Sequence, residues 1–159
     1  MERCELIISS KTKRILWIDD DVNILDKQID LVRSEGWPID TVDCASEAVR
    51  MLQTNSGKPY RGILLDSMMN PIPDIGPHHA AGILTGTILA QIAIERNWIR
   101  ADNIIMLTNC KQPVFFETAR KNNLNIKQKS QFHGRKLARL IEQTFDTQEY
   151  INFIKRFEG

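Results

Sequence analysis

Five short apolar runs alternate with five stretches of helical periodicity along this chain, and that alternation restricts its fold more than any other feature. "RILWI" (14–18) is rich in β-formers and too short for a helix, so it reads as a buried strand. "VNILDKQIDLVRSEG" follows, with Ile24, Leu25, Ile29 and Val32 at helical spacing and Gly36 as a stop. "IDTVDC" predicts a second strand, and "SEAVRMLQTN" a helix that starts near Cys44, Ala45 or Ser46. "GILLD" (62–66) predicts a third strand, and "AGILTGTILAQIAIERN" (81–97) a helix apolar nearly all round, hence well buried. "NIIMLTN" (103–109) predicts a fourth strand, and "PVFFETARKNN" a helix with Pro113 in its first turn. "LNIKQK" (124–129) predicts a fifth strand and "GRKLARLIEQTF" the last helix. A repeated β-α order dictates an α/β protein with a parallel sheet and helices on both faces. The 159 residues suit a single domain with one sizeable core.

In such a sheet, ligands gather beyond the carboxyl ends of the strands, at the topological switch point. The residues at those ends are Asp19, Asp20 and Asp21 after strand one, Asp66 after strand three, Thr108 after strand four and Lys129 after strand five. Carboxylates placed there face a shared polar cleft and need no burial inside the core. Clustered carboxylates repel one another unless a cation sits among them. Mg²⁺ prefers oxygen ligands and takes one or two carboxylates together with water and phosphate oxygens. Asp20 and Asp66 fit that role, with Asp19 acting through a bound water, while Asp21 fits the N-cap of the following helix. A hydroxyl and a mobile cation, Thr108 and Lys129, suit a transferring phosphoryl group whose charge spreads over its oxygens. Asp66 is then the nucleophile that becomes an acyl phosphate. The plainer alternative is a Lys129–Asp66 ion pair that only rigidifies the cleft.

Taken together, these segments resemble the receiver domain of bacterial two-component response regulators. "ILWIDDD" resembles its first-strand acidic pair, "GILLDSMM" its phospho-acceptor strand, "IIMLTN" its threonine strand and "IKQKSQF" its lysine strand. The resemblance runs from about Arg14 to Phe145, and its order and spacing carry more than any one motif, notably the 21 residues from Thr108 to Lys129. It implies a flavodoxin-like, doubly wound five-stranded parallel sheet in the order 2-1-3-4-5, an arrangement for which a receiver is a standard example. It also implies that Asp66 takes phosphate from a histidine kinase or histidine phosphotransfer protein. Asp20, Asp66 and the backbone carbonyl of Met68 are then expected to bind Mg²⁺, with Asp19 in support through water, and Thr108 and Lys129 to hold the phosphoryl group.

Four features depart from the family pattern. Ser130 stands where a proline usually follows the lysine, so that loop is expected to be shaped differently. Asn109 replaces the small residue after the threonine, which brings a bulkier, hydrogen-bonding side chain to the phosphoryl site. Ile126 occupies the place of the switch aromatic, so phosphorylation is expected to persist while its readout differs. The segment "NPIPDIGPHHAAG" (70–82) lengthens the loop after the phospho-acceptor, and its three prolines lower the entropy of ordering it. It reads either as a partner-selecting lid or docking edge, or as a tolerated surface insertion. Adjacent His78 and His79 chelate poorly together and have no Cys or third His nearby in sequence, which argues against a transition metal.

The core is expected over about 13–145, with 146–159 as a C-terminal helical extension. "DTQEYINFIKRFEG" opens with a capping-box pattern at Asp146 and Glu149, or else continues the last helix. Tyr150, Ile151, Phe153, Ile154 and Phe157 either pack back on the domain or form a contact in a homodimer or with a partner. Residues 111–159 hold 10 Lys/Arg against 5 Asp/Glu, a bias that reads as a solvated face or a binding surface. Arg135, Lys136 and Arg139 could meet nucleic acid, but no DNA-binding motif accompanies them. Cys4, Cys44 and Cys110 make an odd set without CxxC spacing, as in a reducing compartment. No run reaches a membrane span and the first residues lack a signal peptide's apolar stretch, so the expectation is a cytoplasmic protein.

Three functions compete. The first is a stand-alone receiver, a phosphorylation-controlled interaction module and not an enzyme. The second is a phosphatase of the haloacid dehalogenase type. Its first motif needs Asp-x-Asp-x-Thr/Val, and "DDDVN" puts Asn23 at the last place. That class also needs acids on a strand end after the lysine, where Glu142 and Asp146 lie in helical sequence, and it leaves Asp66 unexplained. The third is a pseudo-receiver, folded alike but acting as a phosphorylation-independent protein-binding module. Asn109, Ile126 and Ser130 favour it, and the complete set of five site residues opposes it.

Overall fold

The computed structural model describes residues 14–20, 26–55, 60–66 and 85–145. Five strands alternate with five helices over that span: β1 (Ile15–Ile18), α1 (Asp26–Ser34), β2 (Ile39–Val42), α2 (Ala45–Thr54), β3 (Gly62–Leu65), α3 (Thr85–Glu95), β4 (Ile104–Thr108), α4 (Pro113–Lys121), β5 (Asn125–Gln128) and α5 (Arg135–Phe145). The strands form one sheet in the order β2-β1-β3-β4-β5, and every pair is parallel. This is the expected doubly wound, flavodoxin-like α/β fold. The chain leaves β1 for β2 on one side and returns to β3 on the other, so the switch point lies between β1 and β3.

Strand periodicity divides the core into two layers. Leu16, Ile18, Ile63, Leu65, Ile104 and Met106 pack with Ala45, Ala48 and Leu52 of α2, Leu89, Ala90 and Ala93 of α3, and Phe115 and Ala119 of α4. Ile15, Trp17, Leu64, Ile105 and Leu107 pack on the opposite face with Ile29 and Val32 of α1 and Leu137, Leu140, Ile141 and Phe145 of α5. The inner strands β1, β3 and β4 are therefore buried along their whole length, whereas edge strands β2 and β5 carry partly exposed residues. Helix α3 exposes no residue before Glu95, as its apolar composition predicts.

Two contacts tie α5 to the sheet. Gly62 lies against the Phe145 ring so closely that a Cβ there would sit 2.4 Å from the ring's carbons. That is why the third strand begins with glycine. The neighbouring Arg61 is buried, and its Nε–H donates to the Phe145 carbonyl at 2.6 Å, at the end of α5 where backbone carbonyls lack helical partners.

Helix α1 stops as expected at Gly36, which takes φ +94°. Its N–H donates to the Arg33 carbonyl and that of Trp37 to the Val32 carbonyl, the paired bonds of a Schellman motif. Asn97 and Asn123 close α3 and α4 in the same way at φ 57° and 55°.

The strands are shorter than the apolar runs imply. Asn103 belongs to a 3₁₀ turn (Ala101–Asn103), where its side-chain amide donates to the Arg61 carbonyl at 3.0 Å. Lys129 lies just past β5 and opens a second 3₁₀ turn (Lys129–Gln131). Helix α2 begins at Ala45, with Cys44 as an extended N-cap residue that makes no side-chain capping bond. Asp21 as a cap, Met68, the 70–82 segment with its histidines, and the 146–159 extension all lie outside the described residues.

Candidate functional site

Strand register assembles the site. Ile18 pairs with Leu65, so Asp19 and Asp66 emerge side by side from β1 and β3. Their backbones stay in the ladder: the Asp66 N–H donates to the Ile18 carbonyl at 2.9 Å, and the Asp19 N–H to the Val42 carbonyl at 3.0 Å. Leu65 pairs with Met106, and Thr108 with Gln128. Thr108 thus closes β4, and Lys129 follows directly from β5. Asp19, Asp20, Asp66, Thr108 and Lys129 come from four different strands, and all five stand at the carboxyl edge of the sheet.

Three carboxylates meet there. Asp19, Asp20 and Asp66 each offer an oxygen, and these oxygens lie within 4.8 Å of one another. They differ in depth: Asp19 is 1% exposed, Asp66 is 8% exposed, and Asp20 is open to solvent. The Lys129 ammonium bonds to Asp19 Oδ2 and lies 3.5 Å from Asp66 Oδ2. Burial alone would lower the Lys129 pKa. The hydrogen bond to Asp19 and the charges of Asp66 and Asp19 outweigh that effect and raise it, so the amine stays protonated at neutral pH. The ion pair envisaged between Lys129 and Asp66 is therefore shared, and Asp19 is its nearer partner. Thr108 is 1% exposed, and its hydroxyl oxygen accepts the Cys110 N–H at 3.0 Å, which orients the side chain from within its own loop.

The donor set fits Mg²⁺. It consists of oxygen alone, with no imidazole or thiolate in the cluster. An octahedral Mg²⁺ with ligands at about 2.1 Å places them no more than about 4.2 Å apart, so a small side-chain adjustment closes the present envelope. Among the described residues three carboxylates stand together, and a divalent cation among them would offset their mutual repulsion. Asp20, the most exposed of the three, is the natural entry ligand. Asp66 keeps a small exposed surface.

The residues flagged as departures also fall into place. Ile126 is half-buried and packs on the core layer that holds Met106 and Phe115. Asn109 is exposed, and its Oδ1 accepts the Ser130 N–H at 3.1 Å. The sequence marks both residues but not their partnership. The signal was present: Asn109 and Ser130 are 21 residues apart, the same offset as Thr108 and Lys129. No cis peptide bond occurs among the described residues.

No family model matches this chain, and no curated protein sequence does. Solved structures do. A CheY-like response regulator receiver domain protein from Methanospirillum hungatei is 23% identical, with a TM-score of 0.65 over 86% of this chain and 95% of that one. A response regulator receiver domain protein from Clostridium thermocellum is 18% identical, with a TM-score of 0.64 over 86% of this chain and 96% of that one. The response regulator TrrA from Thermotoga maritima, solved in complex with Mg²⁺-BeF, is 21% identical, with a TM-score of 0.59 over 82% of this chain and 97% of that one. The fold of this chain is that of response regulator receiver domains. Among the described residues, no helix is long and apolar enough to cross a membrane.

Proposed function

We propose that this chain, built on the receiver fold, accepts a phosphoryl group on Asp66 from the phosphohistidine of a histidine kinase or histidine phosphotransfer protein, with Mg²⁺ as cofactor. One observation carries this reading: the slightly exposed Asp66 carboxylate stands among two further acids and 3.5 Å from a protonated Lys129. Asp20 and Asp66 would hold the ion, with Asp19 in support through water and the Met68 carbonyl added by the resemblance. When bound, the ion neutralises charge on the carboxylates and the incoming phosphoryl oxygens. An Asp66 oxygen attacks phosphorus, the P–N bond to a donor ring protonated on its other nitrogen breaks, and the bonding electron pair returns to the ring, which leaves as neutral imidazole. The product is an acyl phosphate. Thr108 donates its hydroxyl to one phosphoryl oxygen and Lys129 gives its ammonium to another.

The added charge then biases a protein-interaction surface around α4 and β5. Next to that surface, a groove of about 760 Å³ runs from Ser130, beside Lys129, along α5. Among the described residues, Phe132, His133, Arg135, Lys136 and Arg139 line it, and none of the lining residues is acidic. The chain is on this reading a signalling domain of the cytoplasm rather than an enzyme, with an unidentified protein as its downstream target. The test is intact mass after treatment with acetyl phosphate and Mg²⁺. The wild type is expected to gain one phosphoryl group, and Asp66→Asn or chelated samples none. A wild type that gains nothing while control receivers do overturns the reading.

A second reading, a phosphorylation-independent binding module, draws on Lys129 being already closed onto Asp19 and on the altered neighbours Asn109, Ile126 and Ser130. The same mass measurement separates the two.

A further inference from the structure

Two departures from the receiver pattern are partners of one another. Proline has no N–H, so a proline at position 130 could not donate. A glycine or alanine at position 109 would offer no side-chain acceptor. In this chain Ser130 restores the donor, Asn109 supplies the acceptor, and the two bond at 3.1 Å. Each substitution provides what the other needs.

The place of this bond gives it a role. The β4–β5 ladder ends at the Thr108–Gln128 pair. Beyond it lie the loop that follows Thr108 and the turn that opens with Lys129. The Asn109–Ser130 bond ties them at that point, immediately beside both site residues. Lys129 reaches from there to Asp19 and Asp66 on β1 and β3. Thr108 is oriented by the Cys110 N–H from the same loop as Asn109. We infer that Asn109 is a positioning residue: its clasp on the Ser130 N–H sets the spacing between the Thr108 hydroxyl and the Lys129 ammonium, so that both engage one phosphoryl group. This rests on the phospho-acceptor reading above. Asn109 and Ser130 are both exposed, so the bond adds little to folding and acts on geometry.

The test uses the full chain and beryllofluoride, a phosphoryl mimic, with Mg²⁺. Asn109→Ala is expected to weaken beryllofluoride binding about two- to tenfold, the range of one hydrogen bond. Ser130→Ala keeps the N–H and is expected to bind like the wild type. Ser130→Pro removes the N–H and is expected to match Asn109→Ala, with the double variant no worse than the weaker single. Mg²⁺ affinity is expected to stay unchanged throughout, because its carboxylates sit on β1 and β3. Proline also disfavours the α region at Lys129, so Asn109→Ala against Ser130→Ala decides the matter if Ser130→Pro misfolds. Amide exchange at Ser130, slow in the wild type and faster in Asn109→Ala, reads the clasp without any phosphoryl chemistry. Unchanged beryllofluoride affinity in Asn109→Ala, or a parallel loss of Mg²⁺ affinity, overturns the positioning role alone. A wild type that binds no beryllofluoride through Asp66 overturns the phospho-acceptor reading and the positioning role with it, even if the exchange difference persists.

Discussion

Asp20→Asn is expected to stabilise the metal-free protein and to abolish its response to magnesium. Asp20 shares an acidic cluster with Asp19 and Asp66, whose oxygens lie within 4.8 Å. Lys129 pairs with the other two and offsets part of their charge, and the Asp20 carboxylate stands beside like charge. Two unit charges 4.8 Å apart repel by about 1 kcal/mol in the water limit. That limit applies because Asp20 is exposed. Physiological salt, with a Debye length of about 8 Å, reduces the figure to about 0.5 kcal/mol. Removing the charge should therefore raise the unfolding free energy by about 1 kcal/mol in metal-free buffer of low ionic strength, or the melting temperature by about 2–4 °C. Magnesium at ten times its Kd should add about 1.4 kcal/mol to the wild type. It should add little to the variant, so the order of stability reverses when metal is supplied. Urea unfolding with chelator and with Mg²⁺, at two ionic strengths, measures all three terms. An Asp20→Asn protein that is less stable than the wild type without metal, or that keeps the full magnesium increment, refutes the reasoning.

Two further outcomes follow from the packing and the charges. Gly62→Ala forces a methyl group to within 2.4 Å of the Phe145 ring and should cost about 1–3 kcal/mol in urea unfolding, with Phe145→Leu restoring part of the loss in the double variant. Lys129 has a folded pKa above its ordinary 10.5, so its contribution to stability is complete below that value and disappears as pH rises through the folded pKa. Tyr60 adds to alkaline loss, since burial, then its hydrogen bond to Asp40, then the Asp40 charge, raise its pKa from 10.0 and only the unfolded chain ionises readily. Comparing wild type with Lys129→Met isolates the lysine. The variant should lose about 3 kcal/mol at neutral pH, the lower end of the cost of breaking a buried pair, and should then decline less steeply above pH 10.5. Parallel alkaline slopes would show that Lys129 is not the group responsible.

The fold was legible because its inner strands are buried on both faces. Such strands must be short apolar runs, and "ILWI", "GILL" and "IIMLT" could hardly be read otherwise. Strand β5 carries a weaker signal, since "NIKQ" is an edge strand with no fully buried residue, yet the reading of 124–129 contains it. The last helical turns were read nearly to the residue. The predicted helices end on Asn97 and Asn123, two positions beyond Glu95 and Lys121, and these asparagines are the left-handed residues that close each Schellman motif. Neither Gly62 nor Arg61 stood out in the sequence. Their roles depend on Phe145, more than 80 residues away, and local periodicity carries no record of so distant a partner.

The site divides along the same line. Which residues stand at the strand ends is a local property, so Asp19, Asp20, Asp66, Thr108 and Lys129 could all be named from short motifs. Which of them touch is set by register and depth. Lys129 favours Asp19 over Asp66 because Asp19 lies deeper, 1% against 8% exposed, where an unpaired carboxylate costs more and an ammonium gains more from it. That preference bears on function. It satisfies the inner acid, keeps the ammonium within 3.5 Å of Asp66, and leaves Asp66 the small exposed surface that the proposed phosphoryl acceptance requires. Were the lysine locked on Asp66 instead, the proposed nucleophile would be neutralised before its donor arrived. The Asn109–Ser130 clasp belongs to the same class of fact: two unremarkable polar residues acquire a joint role only when β4–β5 pairing brings the loop after β4 beside the turn after β5.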